Sequence, residues 1–193
     1  MASGKDSGRV RVLVTQEAIE RRIGELAAEI DRDYAPLVSV EEPLIAIGVL
    51  KGSVFFLVDL LKRVRVPVAL DFFQTSSYGS RMVRGEVHIR KDVDLSIRGR
   101  HVLLVEDIVD TGYTLRTILD LLRFRGAASV RLCALLDKQA AREMEVVIDY
   151  RGFVIEPLFV VGYGLDFDER FRNLPYVGVW EPEEPAAPPP EGA

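Results

Sequence analysis

The sequence predicts an α/β fold, a mainly parallel sheet with helices on both faces. Continuously apolar runs, such as residues 44–50 and residues 102–105 of a strand over 101–105, mark strands buried on both sides. Between them lie stretches with apolar residues three or four positions apart, the period of a helix with one buried face. The composition, 48% hydrophobic and 28% charged, is that of a globular protein and excludes collagen-like, wholly disordered and disulfide-scaffold classes. At 193 residues the chain fits one domain of about 100–200 residues.

Ile19, Ile23, Leu26, Ile30 and Tyr34 share one helix face, and Thr15 is the candidate N-cap. Pro43 precedes the strand 44–50, and a helix is expected over 54–64. A strand over 67–73 leads into a long loop, 75–86, rich in Ser, Gly and Arg; residues 86–90 then alternate like a strand. The strand 101–105 ends in acids, and a helix over 114–125 buries Leu115, Ile118, Leu119 and Leu122. Gly126 stands where a left-handed residue closes a helix. A strand over 129–136 and shorter extended pieces at 146–149, 157–161 and 177–180 complete the body.

The ends differ. Residues 1–8 are small and polar and are expected to be flexible; residues 181–193 hold five of the ten prolines and four Glu, a composition that cannot bury apolar surface. The body is therefore 9–180. The net charge of −5 falls to −1 without the four tail glutamates, so the acidity describes the tail more than the body. It weighs against an obligate nucleic-acid binder, which carries a basic face. No apolar run reaches the ~18 residues that span a bilayer. The N-terminus lacks the apolar core of a signal peptide. Cys133 is the single cysteine and reads as core, so a reducing, cytoplasmic setting is expected. His88 and His101 carry no assignment.

The chemistry is concentrated in Glu106-Asp107-Ile108-Val109-Asp110-Thr111-Gly112-Tyr113-Thr114, between a strand and a helix. Backbone N–H groups of such a turn, at the positive end of a helix, form an anion site to which Thr111 and Thr114 add hydroxyls. Adjacent carboxylates at the strand end suit vicinal hydroxyls or Mg²⁺. A phosphate site beside a diol or metal site matches a ribose 5-phosphate, and Asp110 lies between the two. Acids after a strand also serve simply as helix caps. The usual nucleotide motifs do not account for the run: no G-x-x-x-x-G-K-[ST] occurs, and Gly162-Tyr163-Gly164 lacks a third glycine.

The run resembles the phosphoribosyl diphosphate (PRPP) motif of the type I phosphoribosyltransferases, in the form of the hypoxanthine-guanine branch. Three further stretches are similar to that branch, in the same order. Leu50-Lys51-Gly52-Ser53 resembles its pyrophosphate loop, and Ser76-Ser77-Tyr78-Gly79 its mobile catalytic loop. Residues 159–166 with 170–174 resemble its C-terminal hood.

The resemblance implies a twisted, mainly parallel sheet with a small hood formed by the N-terminal segment and about 150–180. It implies Mg²⁺-dependent transfer of the phosphoribosyl group from PRPP to hypoxanthine or guanine. Asp110 would be the general base. Glu106 and Asp107 would hold the ribose hydroxyls, directly or through Mg²⁺, and Asp166 a second Mg²⁺. Thr111, Gly112, Tyr113 and Thr114 would cradle the 5′-phosphate. Lys51, Gly52 and Arg172 would hold pyrophosphate, with a cis Leu50–Lys51 peptide. Lys138, Phe159, Val160 and Asp166 would bind the purine, and the loop at Ser77 and Tyr78 would close over the site. The resemblance also implies a homodimer or homotetramer.

Taken singly, most of these residues have plainer readings. Lys51 reads as a solvated lysine, Lys138 as the partner of Asp137, and Phe159 as core. Three other functions compete. One is the same fold acting on xanthine or a pyrimidine. Another is an RNA-binding regulator using the loose basic stretch of Arg81, Arg84, Arg90 and Lys91. The third, a dinucleotide-dependent dehydrogenase, lacks its glycine fingerprint.

Overall fold

A computed structural model describes residues 8–76 and 88–182. Ser77, Tyr78, Arg81 and Arg84 lie outside the described residues. Helix α1 (Gln16–Tyr34) begins where Thr15 Oγ1 accepts from the Ala18 N–H at 3.3 Å, and it buries Ile19, Ile23, Leu26, Ala27, Ile30 and Tyr34. Strand β2 (Leu44–Leu50) is buried along nearly its whole length. Helix α2 (Val54–Leu61) stops three residues short of its expected end, where backbone bonds from Lys62 and Arg63 fall partly on i−3 carbonyls and tighten the last turn. Strands β3 (Val68–Ser76) and β4 (His88–Lys91) follow, then β5 (His101–Val109), α3 (Tyr113–Phe124), β6 (Ser129–Asp137) and β7 (Tyr150–Val154).

Six of these strands form one sheet in the order β4-β3-β2-β5-β6-β7. All neighbours are parallel except β4, which runs antiparallel along the edge. The continuous apolar runs follow from burial on both faces. On one side Leu44, Ala46, Leu103, Val105, Cys133 and Leu135 pack with α1 and α2. On the other, Ile45, Ile47, Val102, Leu104, Leu132 and Ala134 pack with Leu115, Ile118, Leu119 and Leu122 of α3. Each fully buried aliphatic side chain contributes about 1.5–3 kcal/mol. Cys133 is core as expected, and burial pushes its thiol up, away from reactive thiolate. Gly126, at φ 83°, closes α3.

A second, antiparallel sheet has the order β1-β9-β8, from β1 (Gly8–Val14), β8 (Val160–Val161) and β9 (Val177–Pro182). It corrects both expected ends of the body. Gly8 pairs with Pro182, and Arg9 with Glu181, so these residues belong to strands. The Glu181 carboxylate is fixed by Arg9 at 2.8 Å and Arg11 at 2.6 Å. The hood is also narrower than expected: residues 150–154 form β7, parallel to β6 in the main sheet. The strand expected at 146–149 is irregular and leads into β7; of 157–161, only Val160–Val161 is extended and paired.

The strand order places the reactive residues. From β2 the chain crosses to β3 on one side, and from β5 to β6 and β7 on the other. The reversal leaves a crevice outside the carboxyl ends of β2 and β5, where doubly wound sheets bind ligands. The loop after β2 starts at Lys51, and the turn after β5 starts at Asp110.

Candidate active site

Strand β5 runs on through the acids to Val109, further than expected, so Glu106 and Asp107 stand in the strand itself, with Glu106 paired to Ala134 of β6. Neighbouring strand residues face opposite ways. Glu106 Oε2 is buried with no hydrogen-bond partner in the protein, and burial, then the Asp107 charge, pushes its carboxyl well up. Burial likewise raises Asp107 to about 6, against the pull of the Ile108 N–H and of Arg172. A buried carboxylate oxygen without a donor is costly unless a ligand supplies one.

Asp107 faces the loop after β2. A Cβ on Gly52 would overlap Asp107 Oδ2, so only glycine lets this loop pass so close to the carboxylate. Gly164 of the hood backs onto the same residue: its φ is 101°, and a Cβ there would overlap the Gly52 carbonyl. The loop backbone is thus held between Asp107 and Gly164. The Leu50–Lys51 peptide is cis, as the resemblance implied. Ser53, fully buried, donates its hydroxyl to the Val49 carbonyl at 2.6 Å and closes the turn.

Arg172 donates to the Gly164 carbonyl at 2.7 Å and pairs with Asp166 at 2.8 Å. Lys51 and Arg172 therefore reach one place from two elements, joined there by Glu169 at 3.0 and 3.3 Å. Tyr163 donates its hydroxyl to Asp59 of α2 at 2.7 Å, a second tie between hood and sheet.

The turn after β5 is braced from behind. Gly112, at φ 93°, is the N-cap of α3, where Tyr113 and the exposed Thr114 open the helix. The Thr111 carbonyl accepts from the Glu143 and Met144 N–H groups at 3.0 and 2.9 Å. Arg142 donates to the carbonyl of Asp110 at 2.9 Å and pairs with the buried carboxylate of Asp137. Arg142 escaped the sequence reading; its only signal was a lone arginine in a polar loop. Arg142→Lys keeps the charge but loses the forked donor, and is expected to lower kcat about 10-fold with the fold intact. Steady-state rates beside thermal unfolding check this.

Lys138 does not pair with Asp137, which is taken by Arg142 and Arg151. It reaches Asp110 Oδ2 at 3.1 Å instead, with its own side chain 12% exposed and that of Asp110 51% exposed. Phe159 is not core: it is 53% exposed, edge-on to Phe167 at 5.7 Å. Val160 beside it is buried in the hood sheet, paired with Val179. Gly162 and Gly164 lie in the hood, where the N–H groups of Tyr163 and Gly164 donate to the Leu174 and Arg172 carbonyls and no helix follows, so the dinucleotide reading fails. Lys91 is engaged by Asp71 and Asp94 at 3.3 and 2.9 Å, which removes it from the basic stretch.

Paired carboxylates, a turn at a helix start and two cations converging at a topological switch point make an α/β crevice whose chemistry suits a phosphorylated sugar. The phosphoribosyl transferase domain model matches residues 11–168. The chain belongs to that family, in its hypoxanthine-guanine branch. It is 45% identical to the hypoxanthine-guanine phosphoribosyltransferase of Bacillus subtilis, over 89% of this chain and 93% of that one. The bifunctional protein TilS/HprT of Listeria monocytogenes is 48% identical over 90% of this chain, which spans 26% of that longer protein. A solved hypoxanthine phosphoribosyltransferase from Trypanosoma cruzi, in a ternary complex with substrates, superposes with a TM-score of 0.84 at 39% identity, covering 89% of this chain and 95% of that one.

Proposed function

We propose that the chain transfers the 5-phosphoribosyl group of PRPP to N9 of hypoxanthine or guanine, releasing pyrophosphate, as a purine-salvage enzyme. The observation that carries this reading is the pair of Lys138 and Asp110, 3.1 Å apart at the mouth of the crevice. A 6-oxopurine presents its O6 acceptor beside its N7–H donor. An ammonium, which only donates, answers the first, and a carboxylate, which only accepts, answers the second.

In this mechanism N9 forms the new bond to C1′, and the C1′–O bond breaks with its electron pair leaving on pyrophosphate. Asp110 takes the N7 proton as N9 attacks. Lys51 and Arg172 stabilise the charge growing on the leaving group. The Gly112–Thr114 turn anchors the 5′-phosphate at the α3 N-terminus. Phe159 stacks on the base, Val160 offers backbone to its edge, and Lys138 fixes it in line with C1′. Closure of the loop at Ser77 and Tyr78 would keep water from PRPP.

The residues present fit Mg²⁺. Glu106 keeps an unpartnered buried oxygen, and Asp107 feels the charge of Asp166 across the crevice. Mg²⁺ takes one or two carboxylates together with substrate oxygens and water. Among the described residues no group of three or more potential ligands is gathered to hold a metal alone, which suits an ion shared with substrate. Glu106 and Asp107 would hold the ribose hydroxyls, directly or through one such ion, and Asp166 a second. When bound, Mg²⁺ neutralises charge on the diphosphate.

The same reading makes the protein a cytoplasmic homodimer or homotetramer, and the buried thiol of Cys133 supports a reducing compartment. No helix of the described residues is long and apolar enough to cross a membrane. Parallel assays of PRPP and Mg²⁺ with hypoxanthine, guanine, xanthine and adenine test the proposal. Adenine, whose 6-amino group meets Lys138 donor to donor, is expected to react about 10³–10⁴-fold less well than hypoxanthine. Comparable use of adenine would overturn the role of Lys138.

A further inference from the structure

The two cations assigned above to the diphosphate are already bridged by a carboxylate of the chain. Glu169 Oε1 lies 3.0 Å from Lys51 Nζ, and Oε2 lies 3.3 Å from the Arg172 guanidinium. Lys51 precedes Glu169 by 118 residues, so this contact links the loop after β2 to the hood. Both oxygens are engaged, one on each cation, as two oxygens of a diphosphate would be.

The hood loop holds the carboxylate in place. The Glu169 N–H donates to Asp166 Oδ2 at 2.8 Å, and Phe167 and Arg170 exchange two backbone hydrogen bonds at 3.1 Å. Phe167 and Phe171 pack on Trp180, with ring centres 5.2 and 5.1 Å away. Asp168 and Glu169 have φ of 51° and 60°, a left-handed backbone that side-chain-bearing residues keep only where their surroundings dictate it. The glutamate is therefore presented to Lys51 and Arg172 by a fixed turn.

We infer that Glu169 is an internal competitor for the diphosphate subsite, whose carboxylate holds Lys51 and Arg172 until PRPP or pyrophosphate displaces it. The inference rests on the assignment of those two cations under the proposed function. Glu169 and Lys51 are 65% and 57% exposed, so their pairing is weak and screened. A diphosphate brings more charge and more acceptor oxygens, including a bidentate set for a guanidinium, so it wins the exchange at some loss of affinity. Arg172 stays oriented throughout, because the Gly164 carbonyl and Asp166 hold it independently of Glu169. The same competition acts after the chemistry. A carboxylate that retakes both cations loosens the hold on pyrophosphate and hastens its release, a step that sets kcat in many enzymes.

The test is calorimetric titration of pyrophosphate, in the presence of Mg²⁺, into the full chain and three variants. Glu169→Gln keeps the size and removes the charge; it is expected to bind pyrophosphate about 3- to 10-fold tighter than the wild type. Its KM for PRPP should fall in parallel. Arg172→Ala should bind pyrophosphate about 10-fold or more weaker. In the double variant, Glu169→Gln should tighten binding less than it does alone, because one of the two contested cations is gone. If Arg172→Ala weakens binding while Glu169→Gln leaves it unchanged or weakens it too, the subsite stands and the competitor role is overturned. If Arg172→Ala leaves binding unchanged, the subsite assignment itself fails, and this inference with it.

Discussion

Asp110→Asn is expected to lower kcat by about 10²–10⁴-fold, the usual contribution of a positioned general base. The side chain is half exposed at the end of β5, and asparagine keeps an oxygen within reach of Lys138, so the fold should be undisturbed. The loss should fall on kcat and leave KM for PRPP nearly unchanged, because the proposed 5′-phosphate site is the backbone of the following turn. Single-turnover rates separate this from a binding defect: with purine and PRPP saturating, the chemical step itself should be slow. Turnover near the wild-type rate would remove Asp110 from the mechanism.

Gly164→Ala is expected to abolish measurable turnover. Its φ of 101° is costly for any residue with a Cβ, and the added carbon would overlap the backbone carbonyl of Gly52. Backbone cannot step aside as a flexible side chain can, so either the hood lifts or the pyrophosphate loop shifts. A displacement of the reacting groups by 1 Å costs about 10²-fold in rate, and here the diphosphate cations move as well. The main sheet does not depend on this contact. Chemical unfolding of the variant should therefore show a loss of about 1–3 kcal/mol, the scale of one strained residue, with the denaturant slope retained. Retention of full activity would mean that the approach of Gly164 to Gly52 does not matter for catalysis.

What the sequence revealed and what it hid divide along physical lines. The central strands were legible because burial on both faces leaves an unbroken apolar run, as in β2, and their helices because one buried face leaves a period of three or four, as in α1 and α3. Residues proposed to hold ligands also stood out, since a turn such as 110–114 needs a particular set of small and hydroxyl side chains. Strand β1 was missed although Arg9, Val10, Arg11 and Val12 alternate, because its value lies in pairing with β9 at the far end of the chain. Nothing local in Glu181 or Pro182 distinguishes them from the tail that follows. The plainer reading of Lys138, as the partner of Asp137, fails for the same reason: Asp137 is adjacent in sequence but points to Arg142 and Arg151, whereas Asp110 is brought close only by the pairing of β5 with β6. Arg142 and Glu169 act through partners 32 and 118 residues away, a reach that no spacing rule encodes.

The contact of Gly52 with Asp107 and Gly164 separates two kinds of evolutionary freedom in one crevice. The diphosphate end is made where the loop backbone passes a carboxylate and another stretch of backbone with no room for a Cβ, so mutation has almost nothing to vary there without loss. The proposed base end is made of side chains just outside strands, Phe159 before β8 and Lys138 after β6, whose strands do not need those particular residues in order to fold. A lineage with this architecture can therefore change the base it accepts by substitution at the rim, while the donor it uses stays the same.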